Sequence, residues 1–158
     1  MSLVEIVVGS GKLRIQDIGK IKSLIGPNFA IINPQCVCGL LHLKQAAFLA
    51  DNAHNGNYNL SKERSTEVLL YLTFQRQISK AIQIGGIHEN AKSIAWVSFG
   101  EPPLELFDMI EADASIISGQ IFDYSNINLD SSIVSNSSFE DKQKIIMTKT
   151  ATLSVQPR

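Results

Sequence analysis

A chain of 158 residues with 44% hydrophobic and 18% charged content fits one soluble globular domain, long enough to bury about two-thirds of its unfolded surface. Lys and Arg total 14 against 15 Asp and Glu, so there is no global basic field for extensive duplex binding, though a local patch for a short single strand is allowed. No window approaches the roughly 18 apolar residues of a membrane span, and the first apolar run contains Glu5 with no basic stretch before it, which argues against a signal peptide and for a cytoplasmic protein.

Leu3 to Val8 is short and β-branched and predicts a first strand, with Gly9-Ser10-Gly11 as the turn after it. Gly-x-Gly after a strand invites a dinucleotide reading, but position 14 holds Arg14 where the third glycine belongs. Gly11-Lys12 also fails as a phosphate loop, because Leu13 stands where Ser or Thr is needed. Ile15 to Ile25 reads as a short helix ended by Gly26-Pro27, and Phe29 to Ile32 as a second strand closed by Asn33-Pro34.

Residues 36–53 read as a helix whose core face is Leu40, Leu43, Ala47 and Ala50, widened by Leu41 and Phe48. His42 sits among these apolar neighbours, where a lone histidine is more often a hydrogen-bonded structural group than a ligand or base. His54 to Asn59 is a polar loop with turn chemistry.

Leu60 to Gly86 is free of proline and glycine until its final pair. Val68, Leu69 and Leu72 form one apolar stripe, with Arg64 and Glu67 outside it. Ile78, Ala81, Ile82 and Gly85 fall at i, i+3, i+4 and i+7 and predict a second, core-facing stripe. The opposite face carries Arg76, Gln77, Ser79, Lys80 and Gln83 and is polar and mildly basic. Two helices, or one with a joint near Thr73 to Gln75, are expected, ending at a Gly85-Gly86 C-cap pair.

Ser93 to Phe99, carrying the single tryptophan, is a third strand. Pro102-Pro103 opens an amphipathic helix running to Ala112, and Ile116 to Phe122 is a further strand candidate broken by Gly119. Residues 123–138 shift to Ser, Asn and Asp and read as a loop with one short helical turn. Ser137 and Glu140 form a capping box for a last helix, Phe139 to Met147, followed by a frayed or extended tail. The alternation argues an α+β (mixed α/β) single domain over 1–158, with helices covering a small mixed sheet.

Catalytic constellations are scarce. Metalloprotease, nucleophile-elbow, kinase and CxxC motifs are absent, and His42, His54 and His88 sit in three segments without ligand spacing, so neither metal nor cofactor is expected. Cys36 and Cys38 are too close for an unstrained mutual disulfide and read as buried or half-buried free thiols. A small enzyme with a Cys nucleophile and His42 as base is the alternative, without an orienting third group. The basic and amide-bearing edge of Lys62, Arg64, Arg76, Gln77 and Lys80 is either a solvated helix face or a phosphate-contacting or partner-docking surface.

The run Glu67-Val-Leu-Leu-Tyr-Leu72, followed by Arg76-Gln77-Ile78-x-x-Ala81-Ile82-x-x-Gly85, resembles the kinase-binding accessory subunit of the KEOPS complex, the family of the PRPK-binding protein. His42-Leu43 with Ala46, and Asn59 before the central stretch, are similar to further family positions. The resemblance is strongest over residues 29–110. One departure is Phe74, where the family prefers a small residue, usually glycine; this implies a joint packed differently or bent less. The resemblance implies a noncatalytic protein that binds the complex's atypical kinase or ATPase subunit. It also implies recruitment of tRNA by its single-stranded 3′ CCA end for threonylcarbamoyladenosine synthesis. Such an end needs few phosphate contacts and some stacking surface, which a near-neutral chain can supply. Lys62, Arg64, Arg76, Gln77 and Lys80 are then candidate RNA contacts, and His42, Glu67, Ile78, Ala81, Ile82 and Gly85 carry the structural motif. A pure protein-interaction module without RNA binding is the remaining alternative.

Overall fold

The structure is a computed structural model and describes residues 5–126 and 135–153. Four strands, β1 (Ile6–Leu13), β2 (Phe29–Ile32), β3 (Ser93–Phe99) and β4 (Ile110–Ala112), form one sheet in the order β2-β3-β1-β4. Every pairing is antiparallel, so the sheet is not mixed: β1 and β2 run the same way, but β3 lies between them. Six α-helices are present among the described residues: α1 (Ile18–Lys22), α2 (Leu40–Asn55), α3 (Arg64–Thr73), α4 (Ile78–Gly85), α5 (Leu106–Met109) and α6 (Phe139–Thr152). The α+β class holds.

Period-2 alternation in β2 and β3 supplies both faces of the sheet. Ala30, Ile32, Ala95, Val97 and Phe99 point into the core shared with α2 and α3, while Phe29, Ile31, Ile94 and Trp96 point into a second core with α1 and α5. A sheet buried on both sides reads as a continuous apolar run, which is why β3 is legible from sequence alone.

Gly9-Ser10-Gly11 is not a turn. It is the middle of β1, paired with Trp96, Ala95 and Ile94. A Cβ on Gly9 would sit 2.6 Å from the Trp96 ring, and one on Gly11 would sit 2.7 Å from the Glu111 carbonyl. The glycines let a ring and a backbone approach closely, and no phosphate-binding turn exists there.

Other segments depart from expectation in the same way. The segment after Pro103 makes only the four-residue α5 and then turns into β4, because Ile110 to Ala112 complete the sheet edge beside β1. Residues 114–117 form a 3₁₀ turn rather than a strand. The last helix is capped by Ser138, whose side chain accepts the Asp141 amide, one residue later than the expected capping box, and it extends to Thr152. The loop-rich stretch is seen through the 3₁₀ turn Tyr124–Asn126; residues 127–134 and the tail 154–158 lie outside the described residues.

The central stretch is two helices joined at Phe74, which closes α3 in the left-handed conformation, φ 59° and ψ 29°. The joint is therefore no less tight than a glycine would make it. A non-glycine residue there costs about 1–2 kcal/mol of backbone strain. The Phe74 ring offsets this by packing 6.3 Å from the His42 ring at 22°, with Lys149 Nζ 6.0 Å from its centre.

Candidate functional site

Two features dominate the surface around α3 and α4: the expected basic edge, and a groove that no single segment foretells. The basic edge does not form one patch. Lys62 and Arg64 lie at the start of α3, whereas Arg76, Gln77 and Lys80 lie beyond its end, and the nine helical residues 65–73 separate the two groups by about 14 Å. Arg64 is committed elsewhere: its Nε lies 2.9 Å from Asp51 Oδ1 and an Nη donates to Asn55 Oδ1 at 3.0 Å, clasping α3 to the end of α2. Arg76 is half-buried at the joint and is not without a partner. Lys62, Gln77 and Lys80 are exposed.

The motif residues divide between support and surface. Glu67 is not outside the apolar stripe but 1% exposed. Its carboxylate accepts the amides of Leu60 at 3.1 Å and Ser61 at 2.8 Å, with the Ser61 hydroxyl at 2.9 Å, so it ties down the loop that enters α3. Charge-assisted bonds of this kind stabilise a buried carboxylate. His42 is fully buried. Its Nδ1 accepts the Cys38 amide at 3.0 Å, which leaves Nε2–H to donate to Thr150 Oγ1 at 2.9 Å. Burial pushes its pKa down to about 4.

The second apolar stripe is only half core. Ala81 and Gly85 are buried, and Gly85 lies where a Cβ would come 3.0 Å from Leu69 and Thr73, so it permits close approach of α4 to α3. Gly86 closes α4 with φ −75°, and neither glycine takes a left-handed conformation. Ile78 and Ile82 are 40% and 49% exposed. On α2, Leu40, Leu41 and Phe48 likewise face out rather than in, because Leu43, Ala46, Ala47 and Ala50 already fill the contact with α3 and β1.

Ile82 faces the groove. Its walls are Ile25 after α1, Leu69 on α3, Ile82 on α4 and Ile87, its floor is Ala30 and Ile31 of β2, and its rim is polar with Lys22, Ser65, Thr66, Gln83 and His88. The volume is about 660 Å³, the size of a small-molecule site. Ser65 is 3% exposed and its Oγ has no hydrogen-bond partner, which is rare for a buried hydroxyl. Lys62 lies three residues before Ser65, and Lys80 one turn before Gln83, so both exposed lysines flank the groove along the chain. Sequence reasoning missed the groove because its residues come from four separate segments. The one available signal was Ile82, an apolar residue at a helix position the core does not need.

The cysteines are turned into the fold. Cys36 lies in the 3₁₀ turn Pro34–Cys36 and Cys38 just after it, both ahead of α2 rather than on its first turn. Both are buried free thiols. Cys36 Sγ donates to the Ile84 carbonyl, and burial pushes its pKa up to about 12. Burial also raises that of Cys38. Among the described residues no cluster of three or more His, Cys, Asp or Glu could hold a metal, and no helix is long and apolar enough to cross a membrane.

Compared with known families, residues 14–148 match the family described as kinase binding protein CGI-121. No curated protein matches the chain.

Proposed function

The chain belongs to the CGI-121 family of kinase-binding proteins, and from that membership we propose that it is the noncatalytic accessory subunit of a KEOPS tRNA-modifying complex. In this reading it binds the atypical kinase or ATPase subunit and recruits tRNA through the single-stranded 3′ CCA end. The observation that carries the tRNA half is the groove between β2, α3 and α4. Apolar walls accept base faces, polar groups at the rim and floor accept base edges or sugar, and Lys22 on the rim, with Lys62 and Lys80 a few residues along the chain from groove residues, supplies charge for a few phosphates. A broad basic field is not needed for such a ligand, and the formal net charge of −1 does not provide one.

Kinase binding needs a second surface. We assign it to the outward face of α2, where Leu41 and Phe48 are 59% and 58% exposed at i and i+7. Residues of α2 do not line the groove, so kinase and tRNA can be held together. The buried, raised thiols support the noncatalytic reading over the Cys-nucleophile alternative.

Pull-down with the cognate kinase, and filter binding of tRNA with and without its CCA end, test the two halves. The expected result is a stable kinase complex and at least tenfold weaker binding of the truncated tRNA. Loss of neither interaction on truncating the tRNA removes the recruitment half and leaves the interaction-module alternative.

A further inference from the structure

β4 ends the sheet on the side away from β2, and its surroundings are both apolar and acidic. Arg14 donates its amide to the Met109 carbonyl and Asp113 donates to the Ser10 carbonyl. By the two-residue alternation of an antiparallel pair, Met109, Glu111 and Asp113 therefore turn their backbone groups toward β1. The carbonyls of Ile110 and Ala112 and the Ala112 amide turn outward, and none of them has a partner among the described residues.

The short α5 leads straight into this edge, and beside it Leu104 is 82% and Phe107 47% exposed. Phe107 donates its amide to the Leu104 carbonyl at 3.2 Å, so the two side chains are neighbours on one side of the turn. The Phe107 ring stands edge-on to Trp96 with centroids 6.1 Å apart, which fixes its exposed face. Residues 101–113 include Glu101, Glu105, Asp108, Glu111 and Asp113, and no Lys or Arg. Lys12 answers part of this charge, meeting Asp113 at 3.6 Å and lying opposite Glu111 in the ladder. Glu101, Glu105 and Asp108 are exposed and make no ion pair among the described residues. A second copy of the chain would set acid against acid, so the charge selects a different occupant.

We infer that β4 accepts, as an added strand, an extended segment of another protein in which apolar and basic residues alternate. The outward groups of Ile110 and Ala112 hold its backbone. Successive side chains of a strand point to opposite faces, so its apolar residues fall on the face of Ile110 and Phe107 and its basic residues on the face of Glu111. No residue of α5 or β4 lines the groove, and α2 packs on the other face of the sheet, so this partner is additional to both ligands proposed above.

The test uses the full chain and a labelled peptide of alternating lysine and valine, read by fluorescence anisotropy at low salt. Binding is expected, with a glutamate–valine peptide about tenfold weaker or worse. Full backbone N-methylation keeps the charge of the lysine peptide but removes its strand bonds, and should also weaken binding about tenfold. On the protein, Ala112→Pro deletes an outward amide without touching a bond to β1, and Leu104→Ser removes the exposed apolar contact; each should weaken binding about fivefold. Leu104→Ser, at an exposed position, keeps the protein side testable if the proline variant fails to fold. No binding of the lysine–valine peptide, equal binding of its methylated form, or unchanged affinity of Leu104→Ser overturns the inference.

Discussion

Glu67 holds the amide of Ser61 at 2.8 Å from a position 1% exposed, so the first residue motif of the central stretch is an anchor for the loop before α3. Glu67→Gln keeps the shape but turns one acceptor into a donor facing the Leu60 and Ser61 amides. The expected cost is about 2–3 kcal/mol, read as a lower midpoint in chemical denaturation. An unchanged midpoint contradicts the anchoring role.

The pair His42–Thr150 joins α2 to α6, and the Thr150 hydroxyl passes the chain on to the Tyr71 carbonyl of α3 at 3.3 Å. The folded state holds His42 neutral, with its pKa lowered from 6.5 to about 4. The unfolded chain therefore binds more protons between these values. Stability is full above pH 6.5 and is lost as pH falls toward 4, by roughly 3 kcal/mol at most. His42→Leu should flatten this part of the stability–pH curve, and an equally steep curve in the variant contradicts it. Thr150→Val should cost about 2 kcal/mol at neutral pH by stranding the Nε2 proton.

Phe74 separates backbone strain from ring packing. Phe74→Ala loses the ring and keeps a Cβ at φ 59°, whereas Phe74→Gly loses the ring and relieves the strain. The glycine variant should therefore be the more stable of the two by about 1 kcal/mol. The opposite order in thermal unfolding contradicts a strained joint.

The thiols should be silent. With Cys36 pushed up to about 12 and Cys38 also raised, neither is expected to react with a soluble disulfide reagent at pH 7–8 until the protein is unfolded. Rapid modification of one thiol in the folded protein restores the nucleophile alternative.

The two binding surfaces should separate by mutation. Leu41→Glu with Phe48→Glu places charge on exposed positions of α2 and should abolish kinase pull-down without loss of tRNA affinity. Lys62→Glu with Lys80→Glu should weaken tRNA binding at least several-fold and leave kinase binding intact. If either double variant impairs both interactions equally while remaining folded, the division of surfaces is wrong.

What could be read from the chain followed physical rule. β3 and the two-helix central stretch were legible because their periodicity is set by burial, and His42 because a lone histidine among apolar residues must find internal partners. Gly9 to Gly11 misled because glycine marks close approach as readily as turns, and the approaching ring, Trp96, lies 87 residues on in the paired strand. Ile78, Ile82, Leu41 and Phe48 misled because periodicity identifies an apolar face without saying whether this chain or another molecule covers it. The groove depends on long-range pairing of β2 with β3 and on α4 folding back, which no local pattern encodes.

We propose that this family member holds a kinase and the 3′ end of tRNA at separate places. The most direct measurement is tRNA affinity of the assembled kinase complex with intact tRNA and with tRNA trimmed of its CCA end. At least a tenfold loss on trimming is expected, with the kinase still bound. Equal affinity for the two tRNAs contradicts it.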